Sequence, residues 1–100
     1  MAQLVVVYWR DIPAQVIVKR GRESAKVQLT ERFEKAIDRA AMRANLRDTD
    51  SYLAEWRRAS PVEVSDDLQA EVDKKAAELE ATFDVAKLKT LVESGGVEKA

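Results

Sequence analysis

The run Leu4-Val5-Val6-Val7-Tyr8-Trp9 constrains this chain more than any other feature. It is dense in β-branched and aromatic residues and lacks polar alternation, the pattern of a central strand covered on both faces. Asp11-Ile12-Pro13-Ala14 follows with an acidic residue and a proline of fixed φ, which is turn chemistry. Gln15-Val16-Ile17-Val18 is then a second strand-like run, so residues 4–18 read as a β-hairpin.

Lys19-Arg20-Gly21-Arg22-Glu23 reads as a basic loop leaving the sheet, its glycine free to take a positive φ. A helix is expected from near Thr30, as N-cap, to near Leu46, with an earlier start at Ser24 as the alternative. At 100° per residue Leu29, Phe33, Ile37, Ala40, Ala41 and Ala44 fall on one face about 120° wide. Asp48-Thr49-Asp50 offers caps for a short helix over Ser51–Arg58, with Tyr52 and Trp56 on one face. Ser60-Pro61 breaks it, and Val62-Glu63-Val64 alternates as a short third strand pairing with the first. Ser65-Asp66-Asp67 opens a helix striped by Leu68, Val72, Ala76, Leu79 and Phe83. Val85, Leu88, Leu91 and Val92 mark the last helix, stopped by Ser94-Gly95-Gly96. The expectation is an α+β fold, order ββααβαα: a small three-stranded sheet, made of the N-terminal hairpin plus one short strand, covered by about four helices. One domain over 1–94 and a flexible tail over 95–100 complete it.

The 100 residues include no cysteine and no histidine. Disulfides, thiolate nucleophiles, imidazole bases and His or Cys metal ligands are thereby excluded. No catalytic set, metal or cofactor is expected. Adjacent Asp66 and Asp67 are explained by helix capping and the helix dipole. The net charge of −1 conceals an asymmetry: residues 1–48 carry ten Lys or Arg against six Asp or Glu, residues 49–100 seven against twelve. A uniformly basic nucleic-acid binder is not built this way, because phosphate neutralisation needs a sustained positive field. No export signal or membrane span is visible, so the cytoplasm is the default location.

Two surfaces present themselves for a partner. Tyr8, Trp9, Arg10 and Asp11 close the hairpin, and Trp56, Arg57 and Arg58 add aromatic and cationic groups; together they form a candidate protein interface, the packed alternative being that the aromatics lie under helices. Lys19, Arg20, Arg22 and Lys26 form a candidate anion patch, and Arg32, Lys35, Arg39 and Arg43 a basic ridge along the first long helix. Arginine stems at such a border also cover the edge of a core while their heads stay wet.

The stretches Val-Tyr-Trp-Arg-Asp-Ile-Pro-Ala-Gln-Val at 7–16, Glu-Arg-Phe-Glu-Lys-Ala-Ile-Asp-Arg-Ala-Ala-Met-Arg at 31–43 and Tyr-Leu-Ala-Glu-Trp-Arg-Arg at 52–58 resemble a small bacterial family described as "virulence factor". The likeness runs through about residue 93. Members of that family occur mainly in alphaproteobacteria, often beside genes for folate- and corrinoid-dependent methyl transfer. The resemblance therefore implies an accessory role in one-carbon metabolism and supplies no catalytic residue.

The leading expectation is a non-catalytic accessory module docking on a partner protein through the hairpin end or the ridge. The alternative is a small anion- or phosphate-binding module, an enzyme component using Arg10, Arg20 and Arg22; the third is nucleic-acid binding through the ridge, which the charge balance disfavours. A homodimer through an open sheet edge is also compatible.

Overall fold

The hairpin forms as the two apolar runs require. In the computed structural model, which describes residues 2–46 and 48–97, β1 (Ala2–Trp9) pairs antiparallel with β2 (Ile12–Arg20). The fold is α+β, but the sheet has five strands rather than three. One unforeseen strand is β3 (Glu23–Gln28), where the expected basic loop ended at Glu23 and Ser24 was an alternative helix start; it pairs with β2, which keeps Lys19 and Arg20 of that loop, across a tight turn in which Gly21 takes φ 59°. Its Ser-Ala-Lys-Val-Gln-Leu alternation sends Ala25 and Val27 inward, a period-2 pattern that the basic residues conceal.

The first long helix, α1 (Glu31–Arg43), keeps its expected place, with Phe33, Ala36, Ile37, Ala40 and Ala41 buried. The next helix is shorter than expected: α2 (Thr49–Ala54) stops, and Trp56–Arg58 becomes β4 instead of a last helical turn. The unpaired edge of β1 decides this. Trp56, Arg57 and Arg58 align with Trp9, Tyr8 and Val7, and after Pro61 the expected strand β5 (Val62–Val64) aligns with Leu4, Gln3 and Ala2. Residues 56–64 thus run down one edge of β1 as a strand interrupted at a proline, which has no N–H to donate. Both outer edges of the sheet are poor templates for strand addition: one is broken, and the other, β3, carries Glu23 and Lys26.

Register and alternation place Leu4, Val6, Val16, Val18, Ala25 and Val27 on one face of the sheet. Helix α3 (Leu68–Thr82) lies on that face with Val72, Ala76 and Leu79 buried, its N-terminus capped by Asp67 accepting from the Ala70 N–H at 3.3 Å. The opposite face carries Val5, Val7 and Ile17 among polar neighbours, and none of the three belongs to the main core cluster. Helix α4 (Val85–Glu93) packs against α1, burying Leu88 and Leu91. The alanines of α1 make that approach close.

The hairpin turn is the joint of the molecule. Arg10 sits at φ 52°, a left-handed conformation costing about 1–2 kcal/mol for a residue with a Cβ. Its contacts offset that. The guanidinium donates to the Gly95 carbonyl at 3.0 Å and to Glu55 Oε1 at 3.1 Å, while the Asp11 N–H donates to the Gly96 carbonyl at 2.9 Å. Gly95 and Gly96, expected in a flexible tail, are therefore buried against the turn; residues 98–100 of that expectation lie outside the described residues.

Candidate docking groove

At the hairpin end, Trp9 is 0% exposed, stacks on Tyr52 with ring centroids 5.7 Å apart, and donates its indole N–H to the Tyr52 carbonyl at 3.0 Å. A ring so enclosed cannot anchor a partner, so Trp9 leaves the candidate interface. Its polar neighbours are equally engaged. Arg57 lies over the Tyr8 ring at 4.6 Å, pairs with Asp11 at 3.2 Å and donates Nε–H to the Arg10 carbonyl at 2.9 Å. Arg10, Asp11 and Arg57 tie elements together; Trp56, half-buried, and Arg58, exposed and without an ion-pair partner among the described residues, remain open.

The expected anion site of Arg10, Arg20 and Arg22 does not assemble. Arg10 lies in the turn before β2 and Arg20 closes the far end of that nine-residue strand. Arg20 pairs with Glu23 and Asp66, each at 3.5 Å. Arg22 sits in the next turn, while Lys19 and Lys26 share the opposite face of the sheet. Four cations close in sequence are thus divided between the two faces of the sheet and the turn by the pairing of β2 with β3.

The ridge on α1 divides. Arg32 caps the C-terminus of α3, donating to the Glu80 and Phe83 carbonyls and pairing with Glu80 at 3.0 Å. Carbonyls at a helix end have no partner within the helix, so the guanidinium serves as their donor. Lys35 makes only an exposed pair with Glu31 at 3.5 Å, and Arg39 and Arg43 are exposed with no partner among the described residues.

These cations border a groove of about 290 Å³ between α1 and α4. Arg32, Lys35 and Arg39 wall one side, Lys89 stands on the other, and Ala36, Val85, Leu88 and Val92 form the floor. Val85 is 70% exposed there, and Met42 of α1 is equally exposed. Sequence reasoning missed the α4 half of the groove. Its signal was present: Leu88 and Leu91 point inward and Val92 packs partly against the core, leaving Val85 of the same apolar set without a place there.

Two other depressions carry mixed or opposite charge. The cleft between β1, β5 and α3 is lined by Lys74, Lys75, Glu71 and Glu78. A second, beside Tyr52 and Trp56, has Glu34 and Asp38 on its rim. Burial raises the Tyr52 hydroxyl above its ordinary value of 10.0, with Asp38 and then Glu34 adding to the effect and a hydrogen bond from Trp56 opposing it. The folded pKa is the higher one, so the stabilisation from neutral Tyr52 is complete below about pH 10 and is lost as pH rises through the folded value. An ultraviolet titration of phenolate is expected to show a late component that Tyr52→Phe removes; a late component surviving in Tyr52→Phe would contradict this assignment. Asp48, the N-cap of α2, is held below the ordinary aspartate value by side-chain and then backbone hydrogen bonding from Ser51.

Among the described residues no group of three or more carboxylates could hold a metal ion. Asp66 accepts the Ala2 N–H at 3.1 Å and pairs with Arg20, while Asp67 caps α3. Among the described residues no helix is long and apolar enough to cross a membrane. No curated protein and no solved structure matches the chain. The family model described as "Virulence factor" does match it, over residues 7–92, a span that takes in the hairpin turn, β2 and the groove between α1 and α4, and the chain belongs to the Virulence factor family.

Proposed function

We propose that this protein is a non-catalytic cytoplasmic module that holds an acidic amphipathic helix of a partner protein in the groove between α1 and α4. The observation that carries the reading is the coincidence of an apolar floor, exposed Val85 beside half-buried Val92, with a rim that is cationic on both sides, Lys35 and Arg39 opposite Lys89. An apolar helix stripe covers the floor while flanking carboxylates meet the rim, the helix-in-groove mode of recognition. The groove is shallow and runs between two helices, which suits the side of a helix better than a small ligand, since such ligands prefer enclosed cavities of about 300–1,000 Å³. Support for a non-catalytic role comes from the chain's lack of imidazole and thiol and from the commitment of Asp66 and Asp67 to structure. A partner in folate- or corrinoid-dependent methyl transfer fits the family resemblance.

Charge reversal tests the reading. A fluorescein-labelled helical peptide with leucines at i, i+3, i+4 and i+7 and flanking glutamates is expected to bind and to weaken with added salt. Arg39→Glu combined with Lys89→Glu should reduce affinity at least tenfold, about 1.4 kcal/mol, without changing the circular dichroism spectrum, because both side chains are exposed. Unchanged affinity in the double variant would remove the groove as the site.

A further inference from the structure

The face of the sheet turned away from α3 is a second surface. The β1–β2, β2–β3 and β1–β4 registers place Val5, Val7 and Ile17 at its centre, with Gln15 and Gln28 opposite one another and Gln3 beyond. Lys19, Lys26 and Arg58 point from three different strands onto the same face, all exposed and all without an ion-pair partner among the described residues. Glu63 aligns into this face opposite Gln3, and Glu34 and Asp38 of α1 rim the adjoining depression that Gln28 and Trp56 also line, so the cationic part of the face lies at Lys19, Lys26 and Arg58. Half-exposed Trp56 ends the face, lining a depression with Val7, Gln15, Arg57 and Arg58 to which no described helix contributes.

We infer that this open face binds single-stranded nucleic acid. Three cations on separate strands suit the phosphates of an extended chain, the amides of Gln3, Gln15 and Gln28 offer donors and acceptors to base edges, and Trp56 offers a ring for stacking. The overall charge of the chain does not oppose this, because the acidic excess lies in residues 49–100, largely on α3 and its flanks, and α3 occupies the other side of the sheet. A second copy of the chain is a poor occupant: two such faces would bring like charges together. An acidic protein surface would satisfy the cations but would leave the amides and the ring without a specific role.

Fluorescence anisotropy of a labelled oligouridylate and of its DNA counterpart tests the inference on the full chain. Binding is expected at low salt, weakening about 20-fold between 50 and 200 mM salt if three phosphates are neutralised on a single strand. Lys19→Glu with Lys26→Glu should abolish it, and Arg58→Glu, on a different strand, should weaken it at least fivefold. Arg39→Glu with Lys89→Glu should leave it unchanged, which separates this face from the groove. Absence of binding at low salt, loss in the groove variant but not in the Lys19/Lys26 variant, or displacement by polyglutamate as effective as by unlabelled oligonucleotide would each overturn it.

Discussion

Trp9→Ala is expected to lower the free energy of unfolding by about 3–5 kcal/mol, a large part of the 5–15 kcal/mol typical of a domain. Three losses combine. The fully buried indole leaves a cavity at the meeting point of β1, α1 and the end of α4; the stacking on Tyr52 disappears; and the Tyr52 carbonyl loses the indole N–H that it accepts. Phenylalanine would restore much of the volume but not the donor, so Trp9→Phe should fall between wild type and alanine. Urea unfolding followed by circular dichroism checks the order. A loss below about 1 kcal/mol in Trp9→Ala, within the range of surface substitutions, would contradict the placement of this residue at the centre of the core.

Gly96→Ala should cost about 2–4 kcal/mol, combining a left-handed backbone penalty with overpacking. Gly96 has φ +91°, and a Cβ built there would meet Trp9 Cζ3 at 2.7 Å. The ring is enclosed and cannot swing aside. Gly21 is the control: its φ is +59°, but nothing lies within 4 Å of an added Cβ. Gly21→Ala should therefore show the backbone cost alone, about 1 kcal/mol. The difference between the two variants in thermal or urea unfolding measures how tightly the end of α4 is docked on the hairpin; equal losses would mean that the Gly96 contact contributes nothing.

The same pair of residues shows what the sequence discloses and what it withholds. Elements with one dominant period were legible: the hairpin of Leu4–Trp9 and Gln15–Val18, the face of α1 through Phe33, Ile37 and Ala40, the stripe of α3, and even the pairing of Val62–Val64 with β1. Elements set by a distant partner were not. Trp56–Arg58 continues a helical pattern locally, and only the vacant edge of β1 turns it into a strand. Glu23–Gln28 hides its alternation behind Lys26, which sits on the face away from α3, and Glu23 at the strand end. Ser94-Gly95-Gly96 reads as a helix stop followed by a tail, and nothing local announces that Trp9 and Arg10 will fold over those glycines.

The candidate site was legible to a similar degree. Lys35, Arg39 and Arg43 could be recognised as an exposed ridge from helical spacing alone, but Arg32, in the same row, closes the C-terminus of α3 because that helix happens to end beside it. Lys89 and Val85 joined the site only through the packing of α4 on α1. The aromatic end of the hairpin, the more conspicuous motif, went into the core. A tryptophan at a strand end serves whichever surface reaches it first, and here three elements of the same chain did.

The most direct test of the account is amide chemical-shift mapping of the isotopically labelled protein titrated with the leucine–glutamate helical peptide. The account predicts saturable shifts confined to the walls and floor of the groove, at Ala36, Arg39, Leu88, Lys89 and Val92, with Lys19, Lys26 and the β1–β2 turn unmoved. Shifts centred on the turn or on the sheet face, or none at saturating peptide, would contradict it.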